Sequence, residues 1–187
     1  RVNGKMDLDR YAAGLEAFAD KLEMEYSGKG NVFFQSLIEY YVTERRIEAW
    51  IRKFSARKAD KKAIQAIEAL PVDIHNPGLW SMLGYYHNNR LFQYVGTAKR
   101  RFSAMMTVAD LYETELLRDL SLLLAYREAL AFRLIEKELA LEKLRILESE
   151  FRPSESKQLA AQLIQRYDRF NEGDYFPDFE LPGLNGD

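Results

Sequence analysis

The chain contains no cysteine. Disulfides, thiolate metal sites, cysteine nucleophiles and any CxxC redox pair are therefore excluded from these residues. Histidine is almost as scarce, with 2 in 187 residues, which starves most acid–base and imidazole–metal chemistry. Gly 10 and Pro 5 exclude a collagen-like or linker-rich chain. A dominant charge is missing too. Lys and Arg total 27 against 29 Asp and Glu, a net charge of -2, so no global basic field argues for nucleic acid. Long apolar runs are absent. The strongest, Leu120 to Tyr126, is flanked by Asp119 and Arg127 and falls far short of the ~20 residues that a membrane span needs. No basic stretch followed by an apolar run marks a signal peptide. The chain starts at Arg1, and we expect a piece cut from something longer, whose signal or anchor could have been removed.

What is present is 47% hydrophobic sequence over 187 residues, enough to bury a sizeable core in one or two small domains. Its rhythm is helical almost throughout. From Asp7 to Tyr26, Leu8, Tyr11, Leu15, Phe18 and Leu22 fall three and four apart, as one inward helix face requires. Ser27-Gly28-Lys29-Gly30 stops that helix, and Asn31 caps a second running to about Lys58. Its inward stripe is Phe33, Leu37, Tyr40, Tyr41, Ile47, Ile51 and Phe54. Asp60 is the expected cap of a short third helix, Lys61 to Leu70. Asn76-Pro77 reads as a cap followed by proline at the first helical position, opening a fourth helix that ends at Gly96.

Thr97 to Arg152 holds neither glycine nor proline, so breaks there must use other chemistry. Asp110 and Glu113 have capping-box spacing, which predicts a helix start at Asp110. Leu116 to Ile135 is apolar almost all round and predicts a central, buried helix, with a turn or kink near Glu136. Pro153 ends the next element, and Ser154 opens a last helix to about Asn171 with Leu159, Leu163, Tyr167 and Phe170 inward. The expectation is an all-α domain of about seven helices, in an antiparallel bundle or short helical array, with an extended C-terminal tail.

Candidate chemistry is thin. Gly28-Lys29-Gly30-Asn31 fits neither a phosphate loop nor a dinucleotide fingerprint, and reads as a helix–helix turn. Val72 and Gly84 stand three before His75 and His87, which excludes the Glu-x-x-His pairs of a di-iron bundle. No metal ligands, catalytic residues or cofactor-binding residues are assigned. Trp80-Ser81-Met82-Leu83-Gly84 matches the start of a tetratricopeptide repeat, but no second copy follows 34 residues on, with Thr114 where the tryptophan would recur. The best binding signal is basic. Arg45, Arg46, Arg52, Lys53, Arg57 and Lys58 lie near Tyr40, Tyr41, Trp50 and Phe54, a pattern that can track an anionic partner. The alternative is an amphipathic helix whose aromatics are core and whose cations are its wet face. Trp50 and Phe54 fall on the inward stripe and favour that alternative, so no nucleic-acid partner is expected.

The rhythm changes at the end. In Gly173 to Asp187, Phe179 and Leu181 alternate as in a short strand, and Leu184-Asn185-Gly186-Asp187 reads as a turn. Gly173, Pro177, Asp178, Phe179, Leu181 and Gly186 match the opening of the thioredoxin-like domains of the alkyl hydroperoxide reductase/thiol-specific antioxidant family. That opening carries Ala-Pro-Asp-Phe and a turn ending in Gly-Lys. Phe176 stands here for the alanine and Asp187 for the lysine. The segment resembles this family over its last fifteen residues alone. The resemblance implies that residues 1–173 form a helical domain preceding the redox fold, and that 174–187 begin the fold itself. It implies thiol–disulfide oxidoreductase activity for the longer protein, with a CxxC pair beyond Asp187. It also implies a periplasmic or envelope-anchored location, with a cytoplasmic one as the alternative. The helical domain is then expected to be non-catalytic. It would position its own downstream domain, bind a protein partner or pair with a second copy. A stand-alone helical interaction module, distantly repeat-like, is the alternative function. A nucleic-acid-binding domain acting through Arg45 to Lys62 ranks below it.

Overall fold

Three helix starts in this chain are set by short polar side chains that meet unpaired N–H groups. Asp7 accepts from the Arg10 N–H at 3.2 Å, and Asn31 from the Phe34 N–H at 2.9 Å. Asn76 accepts from the Gly78 N–H at 3.0 Å, with Pro77 at the first helical position. The computed structural model describes residues 7–92 and 98–168 and shows eight helices, with no strand among those residues. They are α1 (Leu8–Tyr26), α2 (Val32–Lys53), α3 (Ala56–Glu68), α4 (Pro77–Phe92), α5 (Ala98–Ala109), α6 (Glu115–Ala131), α7 (Lys137–Glu150) and α8 (Ser154–Asp168). The fold is all-α, as the sequence predicts. Gly96, Phe170 and the tail residues Gly173, Pro177, Asp178, Phe179, Leu181 and Gly186 lie outside the described residues.

Two boundaries differ from the sequence reading. Helix α2 stops at Lys53 rather than near Lys58, and Asp60 lies inside α3 instead of capping it. The break needs no glycine. Phe54 turns extended while its N–H still bonds the Trp50 carbonyl at 2.9 Å. The Lys58 and Lys62 ammonium groups then lie 4.3 and 5.5 Å from the Phe54 ring, and Lys62 lies 5.0 Å from the Trp50 ring. The second difference is at Asp110, which follows the end of α5 and does not cap α6. Residues 110–114 form a turn, in which the Leu111 and Tyr112 N–H groups bond the Val108 and Ala109 carbonyls. The start of α6 is capped from another helix. Glu68 of α3 accepts from the Glu113 and Thr114 N–H groups at 2.6 and 2.9 Å.

The break near Glu136 is present. Arg133 takes the left-handed conformation (φ 50), and the Leu134 N–H bonds the Ala129 carbonyl at 2.9 Å. This is a Schellman closure with arginine where glycine is usual.

Helix α6 belongs to two apolar clusters, which explains why it is buried nearly all round. One joins Tyr40, Ile47, Ile67, Leu83, Tyr86 and Leu120 across α2, α3, α4 and α6. The other joins Leu123, Tyr126, Leu141, Leu144 and Ile164 across α6, α7 and α8. Gly78 marks a close contact of α4 with α2. A Cβ there would lie 2.9 Å from the Leu37 side chain and 3.1 Å from that of Tyr40.

Helix α1 packs on α2, and here the inward face is shifted from the expected one. Ala12 and Ala19 are fully buried, whereas Leu8 and Phe18 are 47% and 44% exposed. Small side chains let the two helices of the hairpin approach closely, and the larger residues flank the contact. On α2, Tyr40 and Ile47 are inward as expected, while Phe33 and Tyr41 are exposed.

Candidate functional site

The basic run on α2 and α3 is the first place to test. Arg45 donates to Glu48 at 2.8 Å and pairs with its neighbour Glu44. Arg52 reaches Glu48 at 3.2 Å, and the same carboxylate accepts the Tyr11 hydroxyl of α1 at 3.0 Å. Arg46 joins Asp20 and Glu23 of α1 at 2.8 and 2.6 Å, and Lys53 joins Glu16 at 3.0 Å. Arg46 and Lys53 therefore fasten α1 to α2, whereas Arg45 and Arg52 neutralise the buried acids of α2. Each of these four cations thus already meets a carboxylate, while Arg52 and Lys53 remain exposed. Lys58 covers Phe54, and Arg57 is exposed.

Glu44 and Glu48 are only 5% and 6% exposed, so their charges need this pairing. The Ser81 hydroxyl of α4 donates to Glu44 at 2.8 Å. Arg45 also lies 5.1 and 5.7 Å from the rings of Tyr41 and Tyr85. Burial, then the Glu48 charge, pushes the Tyr85 phenol up to about 12.

A buried serine–histidine pair was not foreseen from the sequence. His87 Nε2 of α4 and Ser121 Oγ of α6 are 2.7 Å apart, and both residues are buried. His87 Nδ1 has no hydrogen-bond partner among the described residues. Burial, then the Arg127 charge, pulls the His87 imidazole down to about 4, so it is neutral near pH 7. The contact has the length of a nucleophile–base hydrogen bond, but it is sealed inside the bundle where a substrate could not reach the hydroxyl. Its visible chemistry is to satisfy polar groups between α4 and α6. His75 is exposed, and its N–H bonds the Asp73 carboxylate at 3.0 Å.

The third place is a groove of about 400 Å³ between α6 and α8. Leu123, Leu124 and Arg127 come from α6, and Leu159, Gln162, Leu163 and Arg166 from α8. Trp80 of α4 completes the lining, its indole held by a 2.8 Å bond to the Ile74 carbonyl. Leu123 and Leu124 are buried, whereas Arg127, Gln162 and Arg166 are exposed. Arg127 shares its guanidinium with Glu128 at 2.8 Å.

An apolar floor with cationic edges fits an occupant that is apolar and acidic at once. The signal was present in the sequence as Arg127 and Arg166, cations that follow inward leucine stripes. Nothing in either helix alone shows that the two meet. Among the described residues no group of three or more acids and histidines could hold a metal ion. No helix among them is long and apolar enough to cross a membrane. Comparison with protein-family models, with curated proteins and with solved structures finds no match for this chain.

Proposed function

We propose that residues 1–173 are a non-catalytic helical module standing before a thioredoxin-like domain of the alkyl hydroperoxide reductase/thiol-specific antioxidant type. The module positions that domain, binds a protein partner or pairs with a second copy. One observation carries the reading: Gly173, Pro177, Asp178, Phe179, Leu181 and Gly186 repeat the opening of that domain directly after a helical region. Disulfide exchange needs an attacking thiolate, and this chain has none, so the redox chemistry belongs to residues beyond Asp187. A periplasmic or envelope-anchored location goes with the reading, as in exported members of that family.

The test is insulin reduction by the natural polypeptide continued past Asp187. Turnover is expected there and none from residues 1–187. A continued polypeptide that lacks disulfide exchange refutes the reading. A stand-alone interaction module is the second reading, and the groove beneath Arg127 and Arg166 is the observation in its favour.

A further inference from the structure

We propose that the groove between α6 and α8 is the seat of the chain's own C-terminal segment, residues 174–181. The inference goes beyond the functional reading above: it concerns the segment's seat in residues 1–187, and a redox fold that followed would compete with the groove for the same residues. Three observations meet in it: the chemistry of the groove, the composition of the segment, and the distance between them.

The groove has leucine at its base and Trp80 in its lining, with the exposed Arg127 and Arg166 at its edges. The segment has the complementary pattern. Tyr175, Pro177, Phe179 and Leu181 recur at every second position, which in an extended chain places them on one face. Asp174, Asp178 and Glu180 stand between and before them, and no basic residue follows Arg169. An extended chain laid in the groove would bury its apolar face on Leu123, Leu124, Leu159 and Leu163. Its acids would lie within reach of the two long guanidinium arms.

Arg127 already meets Glu128, so its pairing with the segment is shared. Among the described residues, no carboxylate lies within ion-pair distance of Arg166.

The reach is sufficient. Helix α8 ends at Asp168 and itself forms one wall, from Leu159 to Arg166. That wall is about 10 Å long at 1.5 Å per residue. Asp168 to Phe176 is a chain of eight residues, which extends to about 26 Å. Gly173, within this stretch, can take the backbone conformation a reversal needs. Because the segment is tethered beside its seat, it competes at an effective concentration in the millimolar range, without any requirement for a tight interface.

The absence of cysteine makes the test clean. Gln162→Cys with Phe176→Cys places one thiol in the groove lining and one in the segment. Met24→Cys with Phe176→Cys is the control, since Met24 is exposed on α1, which packs on α2. Under mild oxidation the groove pair is expected to form an intramolecular disulfide, in confirmed monomer, at least about tenfold faster than the control pair. Asp174→Lys, Asp178→Lys and Glu180→Lys together should slow it roughly tenfold, the effect of losing two exposed ion pairs. These changes fall after Asp168, the last residue of α8. Adding Arg127→Glu and Arg166→Glu should restore the rate by exchanging the signs. Equal rates for groove and control pairs, a rate indifferent to the charge changes, or a disulfide only between chains would each overturn the proposal. A disulfide only between chains would give the seat to a second copy. None of these outcomes depends on thiol chemistry beyond Asp187, so this proposal and the redox-domain reading fail separately.

Discussion

Removing the imidazole of His87 should change how the fold responds to acid. In the folded chain His87 is fully buried against Ser121, beside the Tyr86 ring, with Arg127 the charge that acts on it. Its folded pKa is about 4 against an ordinary 6.5. Below pH 6.5 the unfolded chain binds a proton that the folded chain refuses until about pH 4. The unfolded state therefore gains as pH falls through this window. The contribution of His87 is fully present above 6.5 and lost toward 4, at about 1.4 kcal/mol per pH unit, or about 3 kcal/mol in all.

His87→Gln keeps a partner for Ser121 and removes the titration. The assay is urea unfolding followed by far-ultraviolet circular dichroism, for both proteins, from pH 7 to 4.5. The stability advantage of the native chain over the variant should shrink by about 2 kcal/mol between pH 6.5 and 5. The buried Asp119 carboxyl, raised by burial and partly offset by Ser156, works in the opposite sense, but it is common to both proteins and cancels. A difference that stays flat with pH, or an imidazole that titrates near 6.5 by nuclear magnetic resonance, would refute the reasoning.

Further outcomes follow from the hydrogen bonds and ion pairs. Glu68→Ala removes the acceptor shared by the Glu113 and Thr114 N–H groups, and should cost about 1 kcal/mol with an unchanged urea slope. An effect below a few tenths would mean that water replaces the carboxylate without loss. Glu48→Gln withdraws the charge that Arg45 and Arg52 share, and should cost about 2 kcal/mol. Arg46→Ala breaks pairs with the well-exposed Asp20 and Glu23 and should cost under about 1 kcal/mol. Thermal melts that rank these two the other way would contradict the burial argument. Finally, residues 1–187 should not bind single-stranded nucleic acid at physiological salt, because four of the candidate cations already face carboxylates. Micromolar affinity that falls steeply with salt would show otherwise.

Helix identity was legible because apolar residues recur at helical spacing and because Asp7, Asn31 and Asn76 are caps that act within their own turn. The misplaced boundaries are those held by distant partners. Glu68 caps α6 across more than forty positions, and Phe54 ends α2 under cations that belong to α3. The break expected near Glu136 is made by a left-handed Arg133, without the glycine that usually marks one. The stripe on α1 was read inward because Leu8 and Phe18 are large, whereas the hairpin is closed on Ala12 and Ala19.

The same logic applies to the sites. The basic run was visible, but its carboxylate partners on α1 were not, because Asp20 and Glu23 lie more than twenty positions from Arg46. The His87–Ser121 pair and the groove exist only where α4, α6 and α8 meet. Composition and periodicity within one helix do not show which helices meet there.

We propose that a thioredoxin-like fold begins at residue 174. The most direct measurement is the sequence of the natural polypeptide past Asp187. The account predicts strands and helices in alternation, with a CxxC pair within a few tens of residues. A continuation without cysteine, or a natural terminus at Asp187, would contradict it.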